Sequence, residues 1–291
     1  MNHEGPRFYL PLPPATKTLF LINVAVFLLN LVALLLARWV PAVEGGLGRW
    51  LGFSWPGLFA GYGLGLLRVV SYQFVHAIEP MHLVGNMISL WVFGPMAEAR
   101  LGRLGAYRLY LWGGTIGAVG FVLAAAAGGY LSAPLVGASG ACYALMVYAA
   151  CLQPQATIVF FVVQMPLWVL AALFCALGAY SQLVELATGV GGGGVAHSAH
   201  LGGALLGWLA FRRGWFVDHA GDRGGERPDF FTALTSRWRA RRAARQQQVA
   251  DEREQDLDAI LAKVKATGIG SLTAAERRFL ETISAQKSQG R

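Results

Sequence analysis

Apolar residues in this chain gather in long unbroken runs, a pattern suited to helices surrounded by lipid rather than to one-faced helices on a soluble core. The first run, Leu19 to Ala37, supplies 19 residues without a charge, close to the roughly 20 that a membrane-crossing helix needs. Arg38 and Trp39 follow where a cleavable leader would carry small residues, so a retained span is expected rather than a signal peptide. Further apolar runs lie at about 81–97, 107–127, 133–152, 157–184 and 195–211, six in all. The second and sixth are the least apolar, because they carry His82 and Asn86, and His197 and His200. Polar groups inside a span are costly and so mark candidate function.

Composition changes the picture only through its unevenness. Charged residues make up 14% of the chain, against roughly 25% in soluble proteins. Of 24 Lys and Arg, 16 lie at or after Arg212, and 11 of 16 Asp and Glu lie at or after Asp218. The first 211 residues hold 8 basic and 5 acidic side chains, too few to solvate a soluble domain. The net charge of +8 therefore belongs to a tail behind an apolar body, which points to a lipid bilayer and not to nucleic acid as the partner. Cys142, Cys151 and Cys175 stand alone in apolar runs with no CxxC spacing, as small buried hydrophobes do.

Lys and Arg placement orients the spans. Arg100, Arg103 and Arg108 follow the second run, Arg212 and Arg213 follow the sixth, and the loops near 128–132 and 185–194 contain neither residue type. This predicts a multi-pass protein of the cell membrane with both termini cytoplasmic. Arg38, Arg49 and Arg68 in the first loop run against that orientation; the same loop holds Trp39, Trp50, Phe53, Trp55 and Phe59, as a segment lying in the interface would. The expected division is a cytoplasmic segment 1–16, a six-span domain 17–213, a basic linker 214–250 and a soluble helical segment 251–291. In the linker, the run 237–245 suits either anionic headgroups or a solvated connection. Beyond it, Leu257, Ile260, Leu261 and Val264 recur at helical spacing, Gly268 to Gly270 break the pattern, and Thr273-Ala-Ala-Glu276 forms a capping box ahead of Phe279, Leu280 and Ile283.

Candidate chemistry begins with Gly137-Ala138-Ser139-Gly140 at the head of the fourth run. Small neighbours leave a hydroxyl accessible, but they equally serve plain helix packing. In the sixth run, His200, Gly203 or Ala204, and Gly207 share one helical face; a structural histidine bonded to a carbonyl would look the same. Together the two are sharper, since a serine hydroxyl becomes a nucleophile when a base in hydrogen-bond reach takes its proton. Tyr143, four residues after Ser139, shares its face and is placed to stack on the imidazole. No carboxylate lies deep in a run, and Glu185 at a loop edge is the nearest, so a Ser139–His200 dyad is expected instead of a triad. His82 and Asn86, four apart, with Ser89 following, offer two donors for an oxyanion; losing one such donor costs about 10²–10³ in rate. Interhelical glue, worth about 0.6 kcal/mol per bond, is the alternative for this pair. The backbone N–H of Ser139 would add a third donor.

In order and spacing, His82-Leu-Val-Gly-Asn86, Glu98-Ala-Arg100-Leu-Gly102, Gly137-Ala-Ser139-Gly140 with Tyr143, and Ala199-His200 with its glycines resemble the rhomboid family of intramembrane serine proteases over roughly residues 17–213. The resemblance implies an all-α bundle of six transmembrane helices with a water-filled site opening outward, and a short helical tail outside the core. Ser139 would attack a peptide bond of a transmembrane protein substrate with His200 as base. His82 and Asn86 would line the oxyanion hole, Tyr143 would support His200, and Glu98 to Arg100 would be a structural element of the second cytoplasmic turn. No cofactor is implied. Pseudoprotease relatives usually lack the serine or the histidine; both are present here. The first loop lacks a Trp-Arg pair found in some members.

Other functions have their own marks. A non-catalytic scaffold or chaperone of the same fold would not need Ser139, and a metal or proton transporter is disfavoured by the lack of intramembrane carboxylates. Gly189 to Gly194 matches GxGxxG formally, but no strand precedes it and no acidic residue follows at the required distance, so a flexible external loop is expected. His76, His82, His197 and His200 lack an accompanying carboxylate or HExxH, so no metal is expected. His197 is expected to line the aqueous cavity, and His76 the loop above it.

Overall fold

Pro14 opens the first helix, α1 (Pro14–Leu36), at a position where its missing N–H is not needed. The computed structural model describes residues 12–41, 44–59, 64–160, 162–189, 195–217, 245, 247–248 and 255–280. After α1 the chain takes short steps: α2 (Gly46–Leu51), α3 (Trp55–Leu58), a 3-10 turn (Leu64–Leu67), α4 (Arg68–Ser71) and a second 3-10 turn (Tyr72–Phe74). Trp39, Trp50, Trp55 and Phe59 stay exposed here, with Arg38 and Arg49 lying over Trp39 and Trp50. Then come α5 (Pro80–Gly128), α6 (Ser139–Leu152), a hairpin of β1 (Thr157–Phe160) and β2 (Val163–Pro166), α7 (Leu167–Thr188) and α8 (His197–Arg213).

Three of these helices, α1, α5 and α7, are long and apolar enough to cross a membrane. The 49-residue α5 is broken at Gly102, whose φ of 71° and ψ of 175° interrupt the helical path between the second and third apolar runs. Helices α6 and α8 have 14 and 17 residues, about 21 and 26 Å at the usual rise, shorter than the roughly 30 Å hydrocarbon layer.

Two runs are not the uninterrupted helices expected of them. Helix appears only at Ser139 in the run 133–152, because Leu135 exchanges both backbone hydrogen bonds with Phe53 and Gly137 adopts a φ of 117°. The run 157–184 starts as the antiparallel hairpin, in register Thr157 with Pro166 and Phe160 with Val163. Its β-branched Thr157, Ile158, Val159 and Val163 favour strand, and Pro166 sets the extended backbone from which α7 begins. The expectation of an all-α chain is corrected by this hairpin, although most of the described chain is helical.

Glycines and alanines let the inner helices touch backbone to backbone. Helices α6 and α8 run parallel: Gly203 faces the Gly140 carbonyl and Gly207 that of Ala144. The second half of α5 lies antiparallel across both, since a Cβ on Gly113 would be 2.6 Å from the Ala144 Cβ and one on Gly120 would be 2.7 Å from the Ser198 oxygen. Helix α1 is held by a carboxylate. Glu98, 6% exposed, accepts hydrogen bonds from the Ala15 and Thr16 N–H groups and the Thr16 hydroxyl, each at 2.8 Å. It satisfies donors that a helix start leaves without partners and places negative charge at the positive helix end.

The chain divides into two compact units, Met1–Asp229 and Phe230–Arg291. In the second, residues 255–267 and 274–280 are helical, joined through a 3-10 turn (Ile269–Ser271). The Thr273 N–H donates to Glu276 at 2.7 Å and the Glu276 N–H to the Thr273 hydroxyl at 3.3 Å, closing the capping box. Lys263 adds a 2.8 Å ion pair to Glu276. Residues 190–194 of the glycine run and 237–244 of the basic run lie outside the described residues.

Candidate active site

Ser139 is the first residue of α6, so its backbone N–H and that of Gly140 are among the donors that an α-helix leaves unpaired at its start. A positive dipole end accompanies them. The serine is half-buried, as are His82, His197 and His200. Just before it, the Gly137 N–H donates to the Tyr72 carbonyl at 3.0 Å, and the Tyr72 hydroxyl donates to the Gly114 carbonyl at 2.6 Å. The turn carrying the serine is thereby tied to the middle of α5. Glycine is required at 137 twice over: its φ lies in the left-handed region, and a Cβ there would be 2.6 Å from the His82 Nε2. His82 of α5 therefore stands against the turn that leads into Ser139.

His200 arrives from α8. Its ring is stacked on Tyr143 with centroids 4.5 Å apart and planes 12° apart, and His197 meets it edge-on at 6.0 Å. Tyr143 in turn rests edge-on against Phe174 of α7. His82 of α5 lies against Gly137 and the start of α8 lies against Gly140, so the two histidines flank the head of α6. A Cβ on Gly140 would be 3.3 Å from the Ala199 carbonyl, which places the serine turn and the histidine turn in direct apposition. Among the described residues no hydrogen bond joins the Ser139 hydroxyl to His200, and the buried His200 Nδ1 has no partner. Glu185 influences His197 rather than His200.

Asn86 is 6% exposed and donates from its amide to the His82 carbonyl, one turn back, at 2.9 Å. The Cys142 thiol donates to the Asn86 carbonyl at 3.5 Å, so Asn86 abuts α6 one turn below Ser139. Arg212 and Arg213 close α8, which runs parallel to α6, so they lie at the end of these helices away from the serine. No group of three or more His, Cys, Asp or Glu able to hold a metal occurs among the described residues.

His76 lies in the loop between the second 3-10 turn and α5. It is 1% exposed there, its ring edge-on to His82 at a centroid distance of 5.2 Å. Burial, helped by neighbouring His82, pushes its imidazole down to about 4; the Phe74 carbonyl acts in the other direction, yet neither ring nitrogen meets hydrogen-bond geometry with any described group. Its segment is drawn inward by side chains that sequence patterning passed over. Asn30 of α1 donates to the His76 carbonyl at 3.4 Å, and Gln73, fully buried, donates to the Leu111 carbonyl at 3.2 Å. Gln73 and Tyr72 carry no periodicity of their own, so only their partners reveal them.

A family model described as the rhomboid domain matches residues 63–214, just over half of the chain. Another, described as a family of unknown function (DUF6576), matches residues 235–286. The chain is 29% identical over 167 residues to Rhomboid protein 1, mitochondrial, of Saccharomyces cerevisiae, covering 55% of this chain and 44% of that one. It is 30% identical over 171 residues to RHOMBOID-like protein 12, mitochondrial, of Arabidopsis thaliana, covering 52% of this chain and 48% of the relative. The chain spans about half the length of the curated relatives it matches.

Proposed function

The chain belongs to the rhomboid family, and from that premise we propose that it is an intramembrane serine endopeptidase hydrolysing peptide bonds in or near transmembrane segments of membrane proteins. The observation that carries this reading is the apposition of the Ser139 and His200 turns through facing glycines, Gly140 and Gly203. In this reading the six apolar helical stretches are six spans, α5 supplying two about Gly102, within a protease domain of residues 17–213. The basic linker 214–250 and the soluble helical segment 251–291 follow it.

Ser139 Oγ attacks the scissile carbonyl while His200 takes its proton, then returns it to the leaving amine. The dyad bond absent from the resting arrangement forms as substrate binds, since catalytic hydrogen bonds often tighten only in the complex. Developing negative charge on the carbonyl oxygen meets the Ser139 N–H at the start of α6, with His82 and Asn86 as side-chain donors. Stacking on Tyr143 restricts the imidazole to one plane without a third carboxylate. The arginines at the far end of the bundle would face the cytoplasm of a cell membrane together with both termini, and the site would open outward.

Purified wild-type protein should be labelled by a fluorophosphonate, and Ser139→Ala and His200→Ala should each abolish labelling. Unchanged labelling of either variant would overturn the proposal. The unformed Ser139–His200 bond favours the second reading, a non-catalytic scaffold or chaperone, in which the wild type is not labelled and Ser139→Ala keeps its full biological effect.

A further inference from the structure

A fully buried imidazole with both nitrogens unpartnered costs stability, because each polar atom forfeits its bonds to water and gains nothing in return. An apolar ring would fill the same space without that loss. His76 occupies such a place, and its ring lies edge-on to His82 rather than among hydrocarbon alone. The Phe74 carbonyl is the backbone group that acts on the ring, without a hydrogen bond of full geometry, and the other polar neighbour is His82. Sites where local rules of stability are broken are where function is expected.

His82 has a requirement that His76 can meet. Its Nε2 is the atom nearest Gly137, so it is through Nε2–H that the ring would face the Ser139 turn. A neutral imidazole carries one proton, and the nitrogen that keeps it is chosen by what the other nitrogen binds. An N–H donor set behind the ring makes the remote nitrogen an acceptor and leaves the proton on Nε2, much as outer-shell partners fix the tautomer of metal-bound histidines. With centroids 5.2 Å apart, a rotation of either ring brings an N–H···N bond within reach. Around this pair, Glu79 is the charged group acting on His82, and His200 faces it from α8.

Building on the protease reading, we propose that His76 is a positioning residue for the reaction, holding His82 in the tautomer and orientation that present Nε2–H to the oxyanion. It touches neither substrate nor reacting atoms. The fold holds it in place through Tyr72, Gln73 and Asn30, which anchor its segment from α5 and α1.

The test is the rate of fluorophosphonate labelling of purified full-length protein against probe concentration, alongside its thermal midpoint. His76→Phe keeps the ring volume and removes both nitrogens. It should lower the maximal labelling rate about tenfold or more, as loss of oriented oxyanion stabilisation does, with half-saturating probe concentration unchanged and thermal midpoint equal or higher. His76→Gln, which restores a side-chain donor, should recover part of the rate. Wild-type labelling by a folded His76→Phe would overturn the inference while leaving the protease reading intact. So would a loss in both variants that merely tracks their unfolding. A wild type that never labels at Ser139 would instead remove the reading beneath it, and the inference with it.

Discussion

A methyl group at Gly203 has no space to occupy. A Cβ there would meet the Gly140 carbonyl oxygen, lying also 2.7 Å from its carbon and 3.1 Å from its Cα. These are backbone atoms of the turn that bears Ser139, so no side chain can swing aside. Relief to ordinary contact requires α8 to move from α6 by about 1 Å in a close-packed interior. Overpacking of this kind costs about 1–3 kcal/mol of stability, whereas a 1 Å misplacement of reacting groups can cost about 10²-fold in rate. Gly203→Ala should therefore lower fluorophosphonate labelling about a hundredfold per folded molecule while shifting the thermal midpoint only moderately. Two substitutions calibrate the effect. Gly140→Ala, whose Cβ would lie 3.3 Å from the Ala199 oxygen, should fall between, and Gly178→Ala, at 3.8 Å from the tip of Leu201, should label as the wild type does. A Gly203→Ala protein that labels at the wild-type rate, folded or partly unfolded, would refute the link between this interface and the proposed Ser139–His200 dyad.

Two further outcomes concern stability. Glu98→Ala removes three 2.8 Å hydrogen bonds from the start of α1 and should destabilise the protein by about 3 kcal/mol in a detergent unfolding assay, leaving labelling of the folded fraction unchanged because Glu98 is about 24 Å along α5 from His82. In the C-terminal unit, hydrogen bonding to Lys263 and then to Thr273 holds the Glu276 carboxyl down to about 2 from an ordinary 4.5. A depressed carboxylate contributes stability that is complete above the unfolded value and lost as pH falls through the folded one. The capping box should therefore be intact above pH 4.5 and weaken towards pH 2, read as the titration midpoint of the Glu276 side-chain carbon resonance; a midpoint near 4.5 would refute it.

Membrane residence and the grouping of candidate residues were legible along the chain because both depend on neighbours in sequence. Leu19 to Ala37 is apolar wherever it is placed, and four-residue spacing puts His82 with Asn86, and Ser139 with Tyr143, on common helical faces. The Thr273–Glu276 box closes across three residues and needs no distant partner. What depends on distant chain was not legible. Helix α6 starts at Ser139, not near 133, because Leu135 pairs with Phe53 and Gly137 must clear His82. Glu98 caps a helix start 82 residues away, and the segment of buried His76 is tied to α1 and α5 through Asn30, Tyr72 and Gln73. Local pattern determines which segments leave water and which faces carry polar groups; backbone pairing and burial across the bundle decide where a helix begins, which nitrogen finds a partner, and how close a hydroxyl stands to an imidazole.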